Sequence, residues 1–463
     1  MSLIHDQEQT HEQHAALYTE ALRPQFHFTA RYWKDYRLNP QQHQEGWIND
    51  VNGLVYHAGE YHFFAQRWWS CWLHAVSTDL IHWQELPPAF GKGGQFGGTQ
   101  SGGAIVDTTN ASGLGNGSEP VMVAFWSSTD NENQCMSYST DRGRTWTKYA
   151  HNPVLAHPYR DPNVFWYEPG HKWIMILYGP PDNSYVLFSS TNLLNWEKLS
   201  TIPDMYECPD MFPLLLDGDP AREKWVVVDG SGDYLVGRFD GQRFEAETPK
   251  LKGDYGRNFY ASMTFDGMPR EDDRRIQMAW MRGGEYPDMP FNQQITFPCE
   301  LTLRTLPEGV RVCRYPIREI ERLYSREFAL SNRRLAPGEN PLDEVDGAGA
   351  AFDITAEFDL SQSSCDEIAF GLCGSPVKYD VRNQLLDACG SRTELKPRSG
   401  RIQFRLLVDR MSVECFGNRG EVSVTNVAQA QAIAPALSLQ AVGGDLWITS
   451  LTVHELNSIW PSA

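Results

Sequence analysis

The chain has 463 residues, enough for two domains, and it is rich in aromatic side chains, with 15 Trp, 22 Phe and 19 Tyr. Its formal net charge of −19 argues against nucleic acid or an anionic membrane surface as a partner. No run of apolar residues is long enough to span a membrane. We therefore expect a neutral, small or oligomeric ligand and no nucleic acid or membrane partner.

The N-terminal stretch, residues 1–25, is predicted to be a partly helical extension, because helical periodicity occurs at residues 10–22. It has neither a basic segment nor an apolar core of the kind that makes a secretion signal. This predicts a cytoplasmic protein, or a secreted one if a leader precedes this sequence. The nine cysteines show no C-x-x-C pair, which predicts reduced, mostly buried thiols and neither a metal site nor a cofactor.

Short runs of alternating hydrophobic residues follow along the chain, separated by Gly, Asn, Asp and Pro. Examples are "GLVYHAGEYHFFAQ" (53–66), "PVMVAFWSS" (120–128), "KWIMILYG" (172–179) and "RRIQMAWM" (274–281). Helical periodicity returns only briefly, in "IREIERLY" (317–324). This pattern is typical of an antiparallel, all-β protein.

One turn motif recurs three times, as "STDLIHW" (77–83), "STDRGRTW" (139–146) and "STNLLNW" (190–196). Ser-Thr followed by Asp or Asn predicts a turn capped by its own side chains, with the Trp packing the turn onto a sheet. The repetition indicates that one supersecondary unit is used several times.

A second series consists of polar residues that each begin an alternating run. Successive members are separated by 51, 60, 46 and 51 residues: Asp50, Ser101, Asp161, Glu207 and Asn258. A period of this length that holds several short strands predicts a β-propeller of five blades over residues 26–322. The first strand of each blade lines the central channel, so these polar side chains are expected to converge at one end of it.

The sequence pattern changes near residue 345. Runs such as "FDITAEFDL" (352–360) and "IQFRLLVDRMSVECFG" (402–417) alternate without any copy of the turn motif. They predict a separate β-sandwich over residues 345–463. The intervening residues 323–344 are predicted to be a linker.

Three of the strand starts carry acids: Asp50, Asp161 in "YRDPNVFW" (159–166) and Glu207 in "YECPDMF" (206–212). A nearby Pro restricts the backbone and aims the side chain in the last two. Taken singly, each acid could simply cap a turn at a strand entry. Together, two carboxyl groups in one cleft can cleave a glycosidic bond, one as nucleophile and one as proton donor. The third, paired with Arg160, is expected to stay ionised and to hold sugar hydroxyls.

At these residues the sequence resembles glycoside hydrolase family 32, the β-fructofuranosidases that include invertases, inulinases and levanases. "WINDVNG" (47–53), "RDPNVFW" and "YECPDMF" are similar to the three signature blocks of that family. Further blocks agree in order, among them "SGGAIVD", "YGRNFYASMTF" (255–265), "RRIQMAWM" and "LVDRMSVECFGNRG" (407–420). The resemblance spans roughly residues 43–425.

The resemblance implies a five-bladed propeller followed by a β-sandwich. It also implies a retaining enzyme that hydrolyses terminal β-fructofuranosyl units of sucrose or fructo-oligosaccharides. By match to the family motifs, Asp50 would be the nucleophile, Glu207 the general acid/base and Asp161 the transition-state stabiliser. Five more residues match positions that hold the fructose in relatives: Asn49, Gln66, Trp72, Ser101 and Arg160. No metal or cofactor is implied, and we expect a monomer or homodimer.

Other interpretations stay open at this point. Gln66 and Ser101 could be ordinary polar groups at strand ends, and Trp72 could be ordinary core. The sequence departs from the usual family pattern at Val51 and Cys299, where Pro and Arg are common, and at Ala65 and Gln100, where aromatic residues are common. Alternative functions are a fructosyltransferase that uses the same site and a sugar-binding propeller without activity. Sialidases and glycoside hydrolase families 43 and 68 also share part of the pattern, with a weaker match.

Overall fold

The computed structural model describes residues 18–31, 46–91, 96–117, 119–269, 271–343, 345, 351–431 and 436–460. Within these ranges the chain is built almost wholly of antiparallel strands. No helix in the described part of the chain combines the length and apolar character needed to cross a membrane.

Five antiparallel sheets follow one another in the first two thirds of the chain. Sheet 1 contains β1 (Val51–His57), β2 (Glu60–Arg67), β3 (Cys71–Ser77) and β4 (Gln84–Gly91). Sheet 2 contains β5 (Thr99–Asp107), β6 (Val121–Ser128), β7 (Gln134–Ser139) and β8 (Thr147–Lys148). Sheet 3 contains β9 (Arg160–Tyr167), β10 (Lys172–Gly179), β11 (Ser184–Ser190) and β12 (Glu197–Pro203).

Sheet 4 contains β13 (Asp210–Leu215), β14 (Glu223–Val228), β15 (Tyr234–Phe239) and β16 (Phe244–Ala246). Sheet 5 contains β17 (Phe259–Thr264), β18 (Arg275–Met281), β19 (Gln294–Ile295), β20 (Cys299–Leu306) and β21 (Gly309–Pro316). Short 3₁₀ helices lie at Glu168–Gly170, Pro180–Asp182 and Arg318–Leu323. The last of these occupies the predicted helical stretch 317–324.

The first strands of the sheets are packed against one another, starting with β1, β5 and β9. A Cβ atom on Gly53 of β1 would lie 2.8 Å from the Cβ of Ala104 in β5. A Cβ on Gly103 of β5 would likewise lie 2.7 Å from the side-chain oxygen of Asn163 in β9. Glycine at both positions therefore allows the backbones to approach closely around the centre.

Polar contacts continue this ring through β13 and β17. The amide of Asn163 donates to Asp210 at 3.1 Å, and Asp210 accepts from the hydroxyl of Thr264 at 2.9 Å. The ring closes on β1, where the backbone N–H of Tyr56 donates to the carbonyl of Asp266 at 2.9 Å. Hydrophobic clusters fill the spaces between neighbouring sheets, which is the packing of a propeller.

The repeated turns have the predicted structure. Asp79 accepts from the backbone N–H groups of Ile81 and His82, and Asp141 and Asn192 cap the other two turns in the same way. Each motif ends on an indole N–H that donates to the carbonyl three residues earlier, at 3.2, 2.9 and 3.1 Å for Trp83, Trp146 and Trp196.

The C-terminal part is a two-layer sandwich around one apolar core. Its strands are β22 (Tyr324–Leu335), β23 (Phe352–Asp359), β24 (Glu367–Leu372), β25 (Ser375–Asp380), β26 (Leu385–Ala388), β27 (Ser391–Glu394), β28 (Arg401–Asp409), β29 (Ser412–Gly417), β30 (Val422–Val427), β31 (Leu437–Val442) and β32 (Leu446–Leu456). A 3₁₀ helix spans Leu360–Gln362. The sheet orders are β22-β32-β23-β28-β29-β30 and β27-β26-β25-β24-β31.

Two predicted boundaries need correction. The predicted linker 323–344 begins instead with β22, the edge strand of the sandwich, which pairs along β32. Most of its side chains are exposed and four of the twelve are charged, so its sequence lacks the regular apolar alternation that marks a strand. In the N-terminal extension, residues 1–17 lie outside the described part, and residues 18–25 form turns rather than helix.

All nine cysteines are unpaired, and all but Cys389 are buried, as predicted.

Candidate active site

The predicted polar residues lie at the starts of the central strands. Asp50 immediately precedes β1, Ser101 is near the start of β5, and Asp161 is the second residue of β9. Glu207 comes three residues before β13. Because these strands line one ring, their starts open at the same end, and the side chains meet there.

Asp50 is held by its neighbours in sheet 1 and by Ser101. The Ser101 hydroxyl donates to its Oδ2 at 2.7 Å, while its own backbone N–H donates to the side-chain oxygen of Asn49 at 2.5 Å. Burial raises the pKa of Asp50, and the negative charge of Glu207 adds to the rise. The hydrogen bond from Ser101 and the charge of Arg160 oppose it.

Asp161 is buried beside the other two acids. Its Oδ2 accepts the backbone N–H of Cys208 at 3.0 Å, and its own N–H donates to the hydroxyl of Ser127 at 3.1 Å. Burial and then the negative charge of Asp50 raise the pKa of Asp161 to about 7. The charges of the neighbouring acids thus act on both Asp50 and Asp161.

Both oxygens of the Glu207 carboxyl group have a donor. Arg160 donates to Oε1, and the Tyr260 hydroxyl donates to Oε2 at 2.5 Å. The backbone carbonyl of Glu207 accepts from the hydroxyl of Tyr185 at 2.6 Å. These contacts fix the acid from three sides.

Arg160 forms the expected ion pair with Asp161, but its direct hydrogen bond goes to Glu207. The guanidinium binds Glu207 directly, and its Nε lies 3.9 Å from the carboxylate of Asp161. The charge of Arg160 opposes the rise in the pKa of Asp161, but burial and the charge of Asp50 outweigh it, so the carboxyl group is not firmly ionised at neutral pH.

The backbone at two of the acids adopts a conformation that L-residues rarely take. The φ angles of Asp161, Glu207 and Cys208 are +57°, +46° and +41°, in the left-handed region. Such conformations cost of order 1–3 kcal/mol each and concentrate at functional sites. Here they turn the two carboxyl groups into the channel opening.

The five residues matched to fructose-holding positions divide into two groups. Asn49, Ser101 and Arg160 contact the acids, as described above. Gln66 and Trp72, by contrast, are completely buried. The Gln66 amide donates to the Thr99 carbonyl at 3.1 Å, and the Trp72 indole donates to the carbonyl of Gln100 at 2.9 Å.

Neither side chain is exposed in this structure, so direct contact of Gln66 or Trp72 with fructose stays a prediction. Trp72 belongs to the apolar cluster between sheets 1 and 2, where it packs against Phe64 and Phe90. Both side chains lie behind the acids and support the segment that carries Ser101.

Two residues of the site were not among the predicted ones, Tyr260 and Tyr185. Tyr260 lies in the block "YGRNFYASMTF", whose recognised strand start was Asn258. The side chain of Asn258 instead binds backbone groups of Arg282 and Val427. Since Tyr260 is the second residue of β17, the position in the strand could have identified it, whereas Tyr185 carries no such signal.

Three neighbouring carboxyl groups meet at one end of the propeller, and one of them accepts hydrogen bonds on both oxygens. This arrangement is typical of a glycoside hydrolase. Two can act as nucleophile and proton donor, and the third can accept hydrogen bonds from sugar hydroxyls.

Comparison with known proteins agrees with this class. The model of the Glycosyl hydrolases family 32 N-terminal domain matches residues 41–316, and that of the Glycosyl hydrolases family 32 C terminal matches residues 319–455. The chain belongs to glycoside hydrolase family 32.

Individual relatives extend over nearly the whole chain. A levanase of Bacillus subtilis (strain 168) is 36% identical and covers 96% of this chain and 72% of its own length. An extracellular exo-inulinase of Aspergillus ficuum is 28% identical, with 96% of this chain and 97% of that protein covered. The crystal structure of exo-inulinase from Aspergillus awamori superimposes with a TM-score of 0.82 at 26% identity, covering 96% of this chain and 100% of that one.

Proposed function

We propose that this enzyme is a retaining β-fructofuranosidase that releases terminal fructose from sucrose and fructo-oligosaccharides. The observation that carries the proposal is the convergence of Asp50, Asp161 and Glu207 at one end of the propeller, with separate donors on Asp50 and Glu207. The names of the relatives, a levanase and exo-inulinases, support a fructan or fructoside as the substrate.

In the first step, a carboxylate oxygen of Asp50 attacks the anomeric carbon of the terminal fructose. The glycosidic bond breaks, its electron pair goes to the leaving oxygen, and that oxygen takes the proton of Glu207. Attack requires ionised Asp50, and the hydrogen bond from Ser101 together with the charge of Arg160 favours this form.

In the second step, the Glu207 carboxylate takes a proton from water, and the water oxygen attacks the same carbon. The ester bond to Asp50 breaks and its electron pair returns to the carboxylate, which yields fructose with retained configuration. Arg160 and Tyr260 hold Glu207 in one position for both steps, which reduces the reorganisation that each proton transfer needs.

Asp161 is suited to bind hydroxyl groups of the fructose ring. It is buried next to Asp50, and the backbone N–H of Cys208 fixes one of its oxygens. Carboxylate hydrogen bonds to ring hydroxyls that strengthen in the transition state lower the barrier without any covalent role.

Two exposed aromatic rings belong to segments next to the acids. Trp69 is 56% exposed and packs against Trp47, three residues before Asp50, while Tyr206, 43% exposed, directly precedes Glu207. Apolar faces of this kind can stack on the sugar that leaves. Exposed rings next to buried acids support attack on chain ends.

The test is the activity and product configuration of Asp50→Asn and Glu207→Gln on sucrose and 1-kestose. Each substitution should lower kcat by about 10³-fold or more, because it removes a group that forms or breaks a bond. Proton NMR of the wild-type reaction should show β-fructofuranose as the first product.

The substitution Asp240→Asn, at an exposed turn in sheet 4, is the matched control and should leave kcat unchanged. Near-native turnover by Asp50→Asn, or initial release of the α-anomer, would contradict the proposed mechanism.

A further inference from the structure

Arg282 is a cation at the active site that the mechanism above does not use. It directly follows β18 and is exposed. Its guanidinium carbon lies 4.8 Å from the centre of the Tyr260 ring and 5.8 Å from that of Trp280. Within the described part of the chain its guanidinium has no ion-pair or hydrogen-bond partner, and the residue is exposed, so its N–H donors are available to a ligand.

The position of Arg282 relative to the acids differs from that of Arg160. Arg160 binds Glu207 directly, whereas Arg282 stacks on Tyr260, whose hydroxyl holds the other oxygen of Glu207. The positive charge of Arg282 also acts on Asp50, where it favours the ionised carboxylate. Arg282 therefore lies on the solvent side of the acid, within electrostatic reach of the reacting centre.

The backbone of Arg282 is fixed from both domains through Asn258. The Asn258 amide donates to the Arg282 carbonyl at 2.7 Å, and the Arg282 N–H donates to the Asn258 carbonyl at 2.9 Å. The side-chain oxygen of Asn258 accepts from the N–H of Val427, the last residue of β30 in the sandwich, at 2.8 Å. The sandwich thus helps to set where the guanidinium emerges.

We propose that Arg282 is a specificity residue that donates hydrogen bonds to the leaving-group sugar. The proposal rests on the proposed function, in which Glu207 protonates the glycosidic oxygen. The terminal fructose lies inward of that oxygen, among the buried acids, and the rest of the substrate lies outward, where Arg282 is exposed. A planar guanidinium presents paired donors that match neighbouring hydroxyls, and the cation–π contact with Tyr260 restricts its position.

The experiment compares substrates that share the fructosyl unit and differ in the leaving group. Arg282→Gln should lower kcat/KM for nystose about tenfold, mainly through KM, which corresponds to about 1.4 kcal/mol. With methyl β-D-fructofuranoside, whose leaving group is methanol, the same variant should stay within about twofold of wild type at the pH optimum, because no second sugar is present to bind.

Arg282→Lys separates charge from geometry. Lysine keeps the positive charge but lacks the planar pair of donors, so the loss on nystose should persist. The acid limb of the pH profile of kcat/KM should move to higher pH in Arg282→Gln and stay in place in Arg282→Lys. The matched control is Arg419→Gln, which removes an exposed arginine at the turn before β30, at the end opposite Val427.

Equal losses on both substrates would overturn the inference, because Arg282 would then act on the fructosyl centre. Unchanged kinetics on nystose would overturn it as well. A wild-type enzyme that cleaves neither substrate would contradict the proposed function itself, which distinguishes that failure from the failure of the role of Arg282.

Discussion

Tyr260 illustrates how one hydroxyl group can organise the proposed acid. It donates to Oε2 of Glu207, while Arg160 donates to Oε1, so the carboxyl plane is defined by two donors. Tyr260 itself is fixed by the pairing of β17 with β18, where it lies opposite Trp280. Its contribution is therefore positional: it determines the direction from which Glu207 meets the glycosidic oxygen.

Replacing Tyr260 with Phe should lower kcat by about ten- to a hundredfold with little change in KM, because the acid loses one of its two fixed donors. Steady-state kinetics on sucrose would measure the effect. The control is Tyr379→Phe in the sandwich, which removes a buried hydroxyl that donates to the Leu395 carbonyl and should leave kcat unchanged. A change confined to KM would contradict a role in positioning the acid.

Single residues also show what the sequence could predict about the site. The three acids could be identified because each stands at a strand start, and the repeat places those starts at one end of the channel. The burial of Gln66 and Trp72 could not be predicted, because a motif match does not reveal which side chains turn away from the opening. Burial depends on packing between sheets, which the local sequence does not encode.

At the scale of elements, the β2–β3 hairpin carries a buried pair of histidines. Nδ1 of His62 lies 3.0 Å from Nε2 of His74, and the His74 ring stacks on Phe64 with centroids 4.2 Å apart. Burial lowers the pKa of His62 to about 4, and the nearby Glu60 offsets this only in part. The pKa of His74 is lowered as well, again by burial. Both rings are therefore neutral in the folded protein at neutral pH.

This pair should make folding sensitive to mild acid. Between pH 6.5 and 4 the unfolded chain binds a proton at His62 that the folded chain does not, so stability falls as the pH decreases. The loss amounts to about 3 kcal/mol across the full window. The difference between the thermal unfolding midpoints at pH 6.5 and pH 4.5 should be smaller for His62→Gln than for wild type. His151→Gln, at an exposed histidine, is the control, and an unchanged difference in His62→Gln would contradict the prediction.

Elements also differ in how well their sequences reveal them. The capped turns that begin at Ser77, Ser139 and Ser190 were predictable because their side chains bond to their own backbone. The edge strand β22 was not, because one of its faces is open to solvent and its charged residues resemble a loop. Edge strands depend on a distant partner, here β32, and a partner far along the chain leaves no local pattern.

At the scale of the whole molecule, His27 connects three parts of the chain. Its Nδ1 lies 2.8 Å from Asp409 at the end of β28, and its Nε2 lies 2.9 Å from Glu414 in β29. Glu414 also accepts the backbone N–H of Phe297 in the propeller. The N-terminal segment, the propeller and the sandwich therefore meet at one buried imidazole.

The charge of His27 determines how this junction responds to alkaline pH. Burial alone would lower the pKa of His27, but the hydrogen bonds to Asp409 and Glu414 raise it to about 9. The protonated ring contributes its full stabilisation below pH 6.5, and this is lost as the pH rises through 9. Wild-type protein should thus lose about 3 kcal/mol of stability over that window.

The corresponding measurement is the unfolding midpoint of wild type, His27→Gln and His82→Gln at pH 6.5 and 9. His27→Gln should be less stable at pH 6.5, because buried Asp409 loses its cation and buried Glu414 keeps only Arg314 at 3.7 Å, and its stability should change little between the two pH values. His82 is exposed on a propeller turn, so its variant should keep the wild-type decline. If the unfolding midpoint of His27→Gln fell between pH 6.5 and 9 as steeply as that of wild type, the junction would not depend on a charged imidazole. Hydrogen bonding alone would then hold the three parts together.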